Sequence, residues 1–172
     1  MDVNLNATDM LLAVHHTAVI NGVKMLQLDK GEVRNNRISN QGDFAIQLAG
    51  MMGEIAVSNV LGLPLRTDLT KGGDGGTDLQ FKGQSIQVKT STHASTSLQR
   101  MVIFNSVNDF GTDWAIACSI QGVCVVRIHG FISKRKFESK VFTHDFGYGN
   151  RYCVYEDALT NIERFQEAFT TR

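Results

Sequence analysis

Asp78, Gln87 and Lys89 are the side chains whose types and spacing point to chemistry. They lie in the run Gly72-Gly73-Asp74-Gly75-Gly76-Thr77-Asp78-Leu79-Gln80-Phe81-Lys82-Gly83-Gln84-Ser85-Ile86-Gln87-Val88-Lys89-Thr90. A glycine-rich loop enters a short strand, Lys82-Gly83 reverses the chain, and a second strand returns. With Lys82 and Gly83 at the centre of the turn, Phe81 faces Gln84, Leu79 faces Ile86 and Asp78 faces Gln87. Directly opposed residues share a face, with Cβ atoms ~4.5–5.5 Å apart. The two-residue strand period adds Lys89 to the face of Asp78 and Gln87, and puts Leu79, Phe81, Ile86 and Val88 on the other. A carboxylate, an amide and an ammonium on one face can hold a divalent metal beside a phosphate. Asp74 in the loop is a possible additional acid. The loop is not a P-loop, because no Gly-Lys-Ser/Thr leads from it into a helix.

The element that would complete such a site precedes the hairpin. Asn40 opens a helix, Asp43 favours its positive first turn, and Phe44, Leu48, Met51 and Ile55 recur on one side until about Leu61. Leu61-Gly62-Leu63-Pro64 ends it. Glu54 stands about 100° from the centre of the apolar stripe, where a carboxylate borders the core and can reach a neighbouring sheet. Taken alone, Glu54 reads as a solvated helix residue, Lys89 as a surface lysine and Asp78 as a loop-to-strand cap. Their shared order gives the functional reading.

That order, Glu54 on a helix, Asp78 on a strand, then Gln87-Val88-Lys89 on the next strand, resembles the PD-(D/E)xK nuclease superfamily. Gly53-Glu54-Ile55-Ala56 is similar to the helix segment of phage and microbial members. Val123-Cys124-Val125-Val126-Arg127-Ile128-His129-Gly130-Phe131-Ile132 is similar to a later strand of some of them. The resemblance covers about residues 40–135. It implies a restriction-endonuclease-like α/β core, a mixed four- to five-stranded sheet flanked by helices. It also implies a Mg²⁺-dependent endodeoxyribonuclease, with Mn²⁺ able to substitute. Glu54, Asp78, the Gln87 side chain and the Val88 backbone carbonyl would hold the metal, joined by Asp74 in one variant, and Lys89 would assist the attacking water. Lys71, Thr90, Ser91, His93 and Arg100 would contact the phosphate backbone. Two departures stand out: Thr77 replaces the proline before the strand aspartate, and Gln87 replaces the acid of (D/E)xK. An amide oxygen still ligates a hard cation but brings no charge. The alternative is therefore an inactive nuclease-fold protein that binds nucleic acid or a protein partner. A third reading is an α/β protein in which the Asp/Gln/Lys face is incidental.

Bulk composition sets the remaining expectations. The chain has 172 residues, 42% of them apolar, with one proline, which fits one domain: an N-terminal helical extension over 1–38, the core over 40–135 and a closing helix over 155–170. Seventeen basic and seventeen acidic residues cancel, so polyanion binding must come from a local patch, which argues against a non-specific DNA-coating protein. Lys134, Arg135, Lys136 and Lys140 form such a run, ordinarily a solvated face. Cys118, Cys124 and Cys153 lack zinc spacing and read as reduced thiols of a cytoplasmic protein, the host cytoplasm for a phage protein. Asp2 and His15-His16 argue against a secretory signal, and no apolar run suggests a membrane span.

In the first helix Thr8-Asp9 reads as the cap, Met10, Leu11, Val14 and Ala18 as the apolar side and Asn21-Gly22 as the stop, with Val23–Leu28 either strand or helix. Adjacent His15 and His16 cannot share a metal as an i, i+4 pair would. Met101–Phe104 reads as a strand. Asp113–Ile120 and Val123–His129 form a pair about Gln121-Gly122, placing Ser119 opposite Cys124 and both strands between covered faces. Phe146–Arg151 reads as a loop, and Leu159, Ile162, Phe165 and Phe169 as the closing helix. Cutting both strands of a duplex takes two sites, so a nuclease of this size would dimerise or nick.

Overall fold

A computed structural model describes residues 1–29, 43–65, 77–92, 100–104, 106–145 and 149–169. The first elements are β1 (Asp2–Asn4), α1 (Ala7–Asp29), α2 (Asp43–Leu61), β2 (Leu79–Phe81), β3 (Gln84–Ser91) and β4 (Arg100–Phe104). They are followed by β5 (Trp114–Ile120), β6 (Val125–Ser133), α3 (Lys134–Lys140), β7 (Phe142–Asp145) and β8 (Asn150–Tyr155). A five-stranded sheet has the order β1-β6-β5-β3-β2 and a three-stranded sheet the order β4-β8-β7. The larger sheet is mixed: β3 and β5 run parallel, while the remaining neighbours are antiparallel. This agrees with the coarse expectation of an α/β protein with a mixed sheet and flanking helices.

Alternation along β5 explains how the sheet is covered on both sides. Ile116 and Cys118 point into the larger core, with Met51, Met52, Ile55, Ala56 and Val57 of α2 and with Leu79, Ile86 and Val88 of the hairpin. Ala115 and Ala117 point the other way, into a second core with Phe104, Phe110, Ile132, Phe137 and Val154. A strand buried on both faces reads as a continuous apolar run, as Trp-Ala-Ile-Ala-Cys does. By length and composition Phe44–Leu61 could span a membrane, contrary to the expectation that no apolar run is long enough. Here this helix packs against the sheet, and Met51, Met52, Ile55, Ala56 and Val57 are buried.

Several expectations are corrected by local chemistry. The cap of α1 is Asn6, not Thr8-Asp9: the Asp9 amide donates to Asn6 Oδ1 and the Asn6 amide donates to Asp9 Oδ2, both at 3.0 Å. Asn21-Gly22 does not stop the helix, which runs to Asp29; the Asn21 amide bonds back to the Thr17 carbonyl at 2.9 Å. That bond returns a turn-forming side chain to its own helix, and a lone helical glycine costs only ~1 kcal/mol. His16 is buried and His15 exposed. Phe44, placed on the apolar stripe, is 43% exposed. Asn40 lies outside the described residues.

Ser119 faces Arg127, three residues beyond the expected Cys124, because the connection is longer than two residues and closes through the Gln121 amide on the Val125 carbonyl at 2.9 Å. Cys118 and Cys124 consequently both border the larger core, and all three cysteines are free thiols. The closing helix is absent; Glu156–Ala158, Ile162–Arg164 and Glu167–Phe169 are separate 3₁₀ turns. A bridge between Phe131 and Thr160 pins the chain to β6, and the buried pair Ile162 and Phe165 repeats every three residues, the 3₁₀ period. β1, β7 and β8 had no counterpart in the sequence reading.

Candidate functional site

The β2–β3 hairpin has the expected register over its ladder, in which Leu79 opposes Ile86, Gln80 opposes Ser85 and Phe81 opposes Gln84; the ladder ends there and does not include the expected pair of Asp78 with Gln87. The turn works because Lys82 and Gly83 both take positive φ, 48° and 79°, the pattern whose twist suits a two-residue hairpin. Asp78 lies one residue before β2, where ladder pairing gives way to its side chain. Its amide donates to the Ile86 carbonyl at 2.9 Å, and its Oδ2 accepts from the Val88 amide at 2.6 Å. A charge-assisted bond of that length fixes the carboxylate against the edge of β3. The N–H and C=O of one strand residue project from the same edge, so the Val88 carbonyl also faces the Asp78 side. Asp78 is buried.

Gln87 and Lys89 share the opposite face of β3 from Ile86 and Val88, as expected. Their register partners on β5 are Ala115 and Ala117, which are buried in the second core. The Gln87 Oε1 is buried and has no hydrogen-bond partner among the described residues. A buried acceptor in that condition costs free energy on the order of 1–3 kcal/mol. The Lys89 Nζ is 4.8 Å from the centroid of Phe104, a cation–π seat that holds the ammonium over the second core. Phe104 itself stacks on Phe110 and meets Phe137 edge-on.

The approach of α2 is set by a glycine. A Cβ built on Gly53 would lie 1.9 Å from Thr90 Oγ1 and 3.1 Å from Thr90 Cβ, so helix and strand meet closer than any side chain permits. Glu54 is the next residue on that turn and is half-buried. Thr90 therefore points toward α2, and its enclosed hydroxyl has no partner among the described residues, while Ser91 falls on the Lys89 face. Asp74, Lys71 and His93 lie outside the described residues, and of Arg100 only its place at the start of β4 is described.

Of the four expected ligands, the structure brings together Asp78 and the Val88 backbone; Glu54 follows the Gly53 that packs α2 on the Thr90 face of β3, and Gln87 projects from the other face. In type, two carboxylates, an amide oxygen and a backbone carbonyl suit a hard cation such as Mg²⁺. The orphaned Gln87 Oε1 is the feature that fits one. No group of three His, Cys, Asp or Glu side chains suited to a metal occurs among the described residues.

A second polar cluster escaped the sequence reading. Ser119 Oγ is 2.8 Å from His129 Nε2, His129 Nδ1 is 2.8 Å from Glu156 Oε1, and the Gln121 amide donates to Ser119 Oγ at 2.7 Å. The order matches nucleophile, base and orienting acid, but Ser119 is completely buried, so the chain fastens β5, β6 and the Glu156 turn together. His129 is the extra residue of a β-bulge, since Ala117 opposes Gly130 and Cys118 opposes Ile128. Register error hid this cluster; an Ile-His-Gly break in an apolar strand was the available signal.

Neither a protein-family model nor a curated protein sequence matches the chain. Function is therefore argued from the arrangement of these side chains.

Proposed function

We propose that this protein is a metal-dependent phosphodiester hydrolase acting on nucleic acid, DNA first, with a restriction-endonuclease-like core. The supporting observation is the buried, unpartnered Gln87 Oε1, on the residue before the Val88 whose amide holds the Asp78 carboxylate and two residues from a seated lysine. In this reading Asp78, Gln87, the Val88 carbonyl and Glu54 hold Mg²⁺. When bound, the ion would polarise a phosphoryl oxygen and supply a water of lowered pKa.

The residues of the chain have separate tasks. Asp78 is oriented by the Val88 amide, so its carboxylate does not swing on ligand binding. Lys89, steadied on Phe104, orients the attacking water and neutralises charge building on the phosphoryl oxygens.

The test is cleavage of plasmid, single-stranded, branched and RNA substrates with Mg²⁺ or Mn²⁺. Activity abolished in Asp78→Asn and Lys89→Ala is expected; folded wild-type protein that cuts none of them sinks the proposal. A second reading is favoured by the neutrality of Gln87 and by the bond already taken up by Asp78 Oδ2: a descendant that binds nucleic acid without metal. Calorimetry showing no uptake of Mg²⁺ or Mn²⁺, with nucleic-acid affinity kept in Asp78→Asn, selects that reading.

A further inference from the structure

We propose that α3 is the surface along which the nucleic-acid strand runs beside the Lys89 site, its cations holding backbone phosphates a few nucleotides from the reacting one. The proposal rests on the hydrolase reading for its choice of polyanion. Its own basis is the charge and anchoring of α3. Over seven residues the helix carries Lys134, Arg135, Lys136 and Lys140 against one acid, Glu138, in a chain whose charges cancel. Lys134, Arg135 and Lys140 are exposed.

Other cations near these elements have protein partners. Arg127 pairs with Asp2, Arg164 with Glu167, and Lys82 and Lys89 lie over Phe81 and Phe104. The four cations of α3 have no ion pair among the described residues. Even the spacing of Lys134 and Glu138, which allows an i, i+4 pair, is not used as one. The nearby Asp113 carboxylate accepts from the Ser85 amide and hydroxyl at 2.8 and 2.9 Å, so it is committed elsewhere. Unpaired cations concentrated on one short element are what phosphate contacts require.

Anchoring ties this helix to the site. Phe137, the buried residue of α3, has its ring centroid 5.3 Å from that of Phe104, and Lys89 Nζ lies 4.8 Å from the same Phe104 ring. One aromatic ring thus separates the base of α3 from the proposed catalytic ammonium. The Ser133 hydroxyl caps α3 by accepting from the Lys136 amide, which keeps the helix fixed on its Phe137 anchor.

The experiment uses the full chain with Lys134, Arg135 and Lys140 changed together to glutamine, leaving Phe137 and Ser133 intact. Anisotropy of labelled single-stranded and duplex oligonucleotides, without divalent metal, is followed against salt. Each lost phosphate contact lowers the slope of log K against log salt by about 0.7 for single strands or 0.9 for duplex. The expected loss is about 2 in slope for single strands and about 3 for duplex, with at least tenfold weaker binding near 150 mM salt. A charge-keeping variant, Lys134→Arg with Lys140→Arg, should keep the wild-type slope. An unchanged slope in the glutamine variant overturns the proposal, as does loss of binding to phosphatidylserine vesicles alone. Hydrolysis of bis(4-nitrophenyl) phosphate with Mn²⁺ reads the site separately, and the glutamine variant should match wild type. Wild type failing there counts against the hydrolase reading and leaves the slope comparison intact.

Discussion

Replacing Gly53 with alanine tests how α2 is set against the sheet. The added Cβ would stand 1.9 Å from Thr90 Oγ1, 3.1 Å from Thr90 Cβ and 3.3 Å from Thr90 Cγ2. Turning Thr90 about χ1 moves the hydroxyl away, but its Cβ stays too close, so the helix must also retreat by a few tenths of an ångström. Overpacking of this kind costs about 1–3 kcal/mol. Alanine gains about 1 kcal/mol over glycine in a helix interior, which leaves a net loss of up to about 2 kcal/mol. For a chain of this length that lowers Tm by up to roughly 8 °C. Thr90→Ala removes Oγ1 and Cγ2 and leaves only the 3.1 Å Cβ contact, so the double variant should recover most of the loss, with a coupling energy of about 1–3 kcal/mol in a denaturant-unfolding cycle. In the hydrolase reading Gly53→Ala also slows metal-dependent cleavage, because Glu54 moves with the helix. Additive single effects, or a Gly53→Ala protein more stable than wild type, would refute the reasoning.

Asp78→Ala should cost about 1–3 kcal/mol in urea unfolding, because the buried Val88 amide loses its acceptor, whereas Asp78→Asn keeps one and stays close to wild type; equal effects would show that the 2.6 Å bond contributes little. Gln87→Glu restores a charge to the metal face and should tighten Mn²⁺ binding at least tenfold by calorimetry, while an unchanged affinity removes Gln87 from the ligand set. Gly130→Ala places a Cβ 2.5 Å from the Thr160 carbonyl at a φ of +152° and should cost roughly 2–4 kcal/mol through clash and strain, read as a lower urea midpoint. The Arg127 guanidinium holds the Asp2 carboxyl below the usual carboxylate range. Its contribution is present above the ordinary carboxylate pKa and lost as pH falls through the lowered value. NMR titration should find Asp2 ionised after other exposed aspartates have protonated, an effect weakened by salt. Burial pushes the Cys118 thiol up, so alkylation of native protein should modify Cys124 alone, with Cys118 and Cys153 reacting on unfolding.

Local chemistry made the hairpin legible. Lys82-Gly83 admits the two positive φ values of one turn type, and that turn, with period-two alternation, fixed which residues oppose one another from Leu79 to Ile86. The end of α2 was equally plain, because Gly62 takes φ +65° and Pro64 cannot continue a helix. The β5–β6 register was not legible, since nothing local in Gln121-Gly122-Val123-Cys124 distinguishes a two-residue turn from a longer one. The Asn21-Gly22 stop failed because a side chain could bond back within the helix.

The sequence by itself determined that Gln87 and Lys89 share one face of their strand, and that a helix bearing Glu54 precedes it. Those facts depend on neighbours a few residues apart. Only the tertiary structure decided that Thr90 faces α2 and Ser91 does not, and that Lys89 rests on Phe104 from a second sheet. It also decided that a bulge joins His129 to Ser119 and Glu156. Each of these joins segments distant in the chain, where side-chain volume and the pairing of buried polar groups choose among packings that local propensity leaves equal.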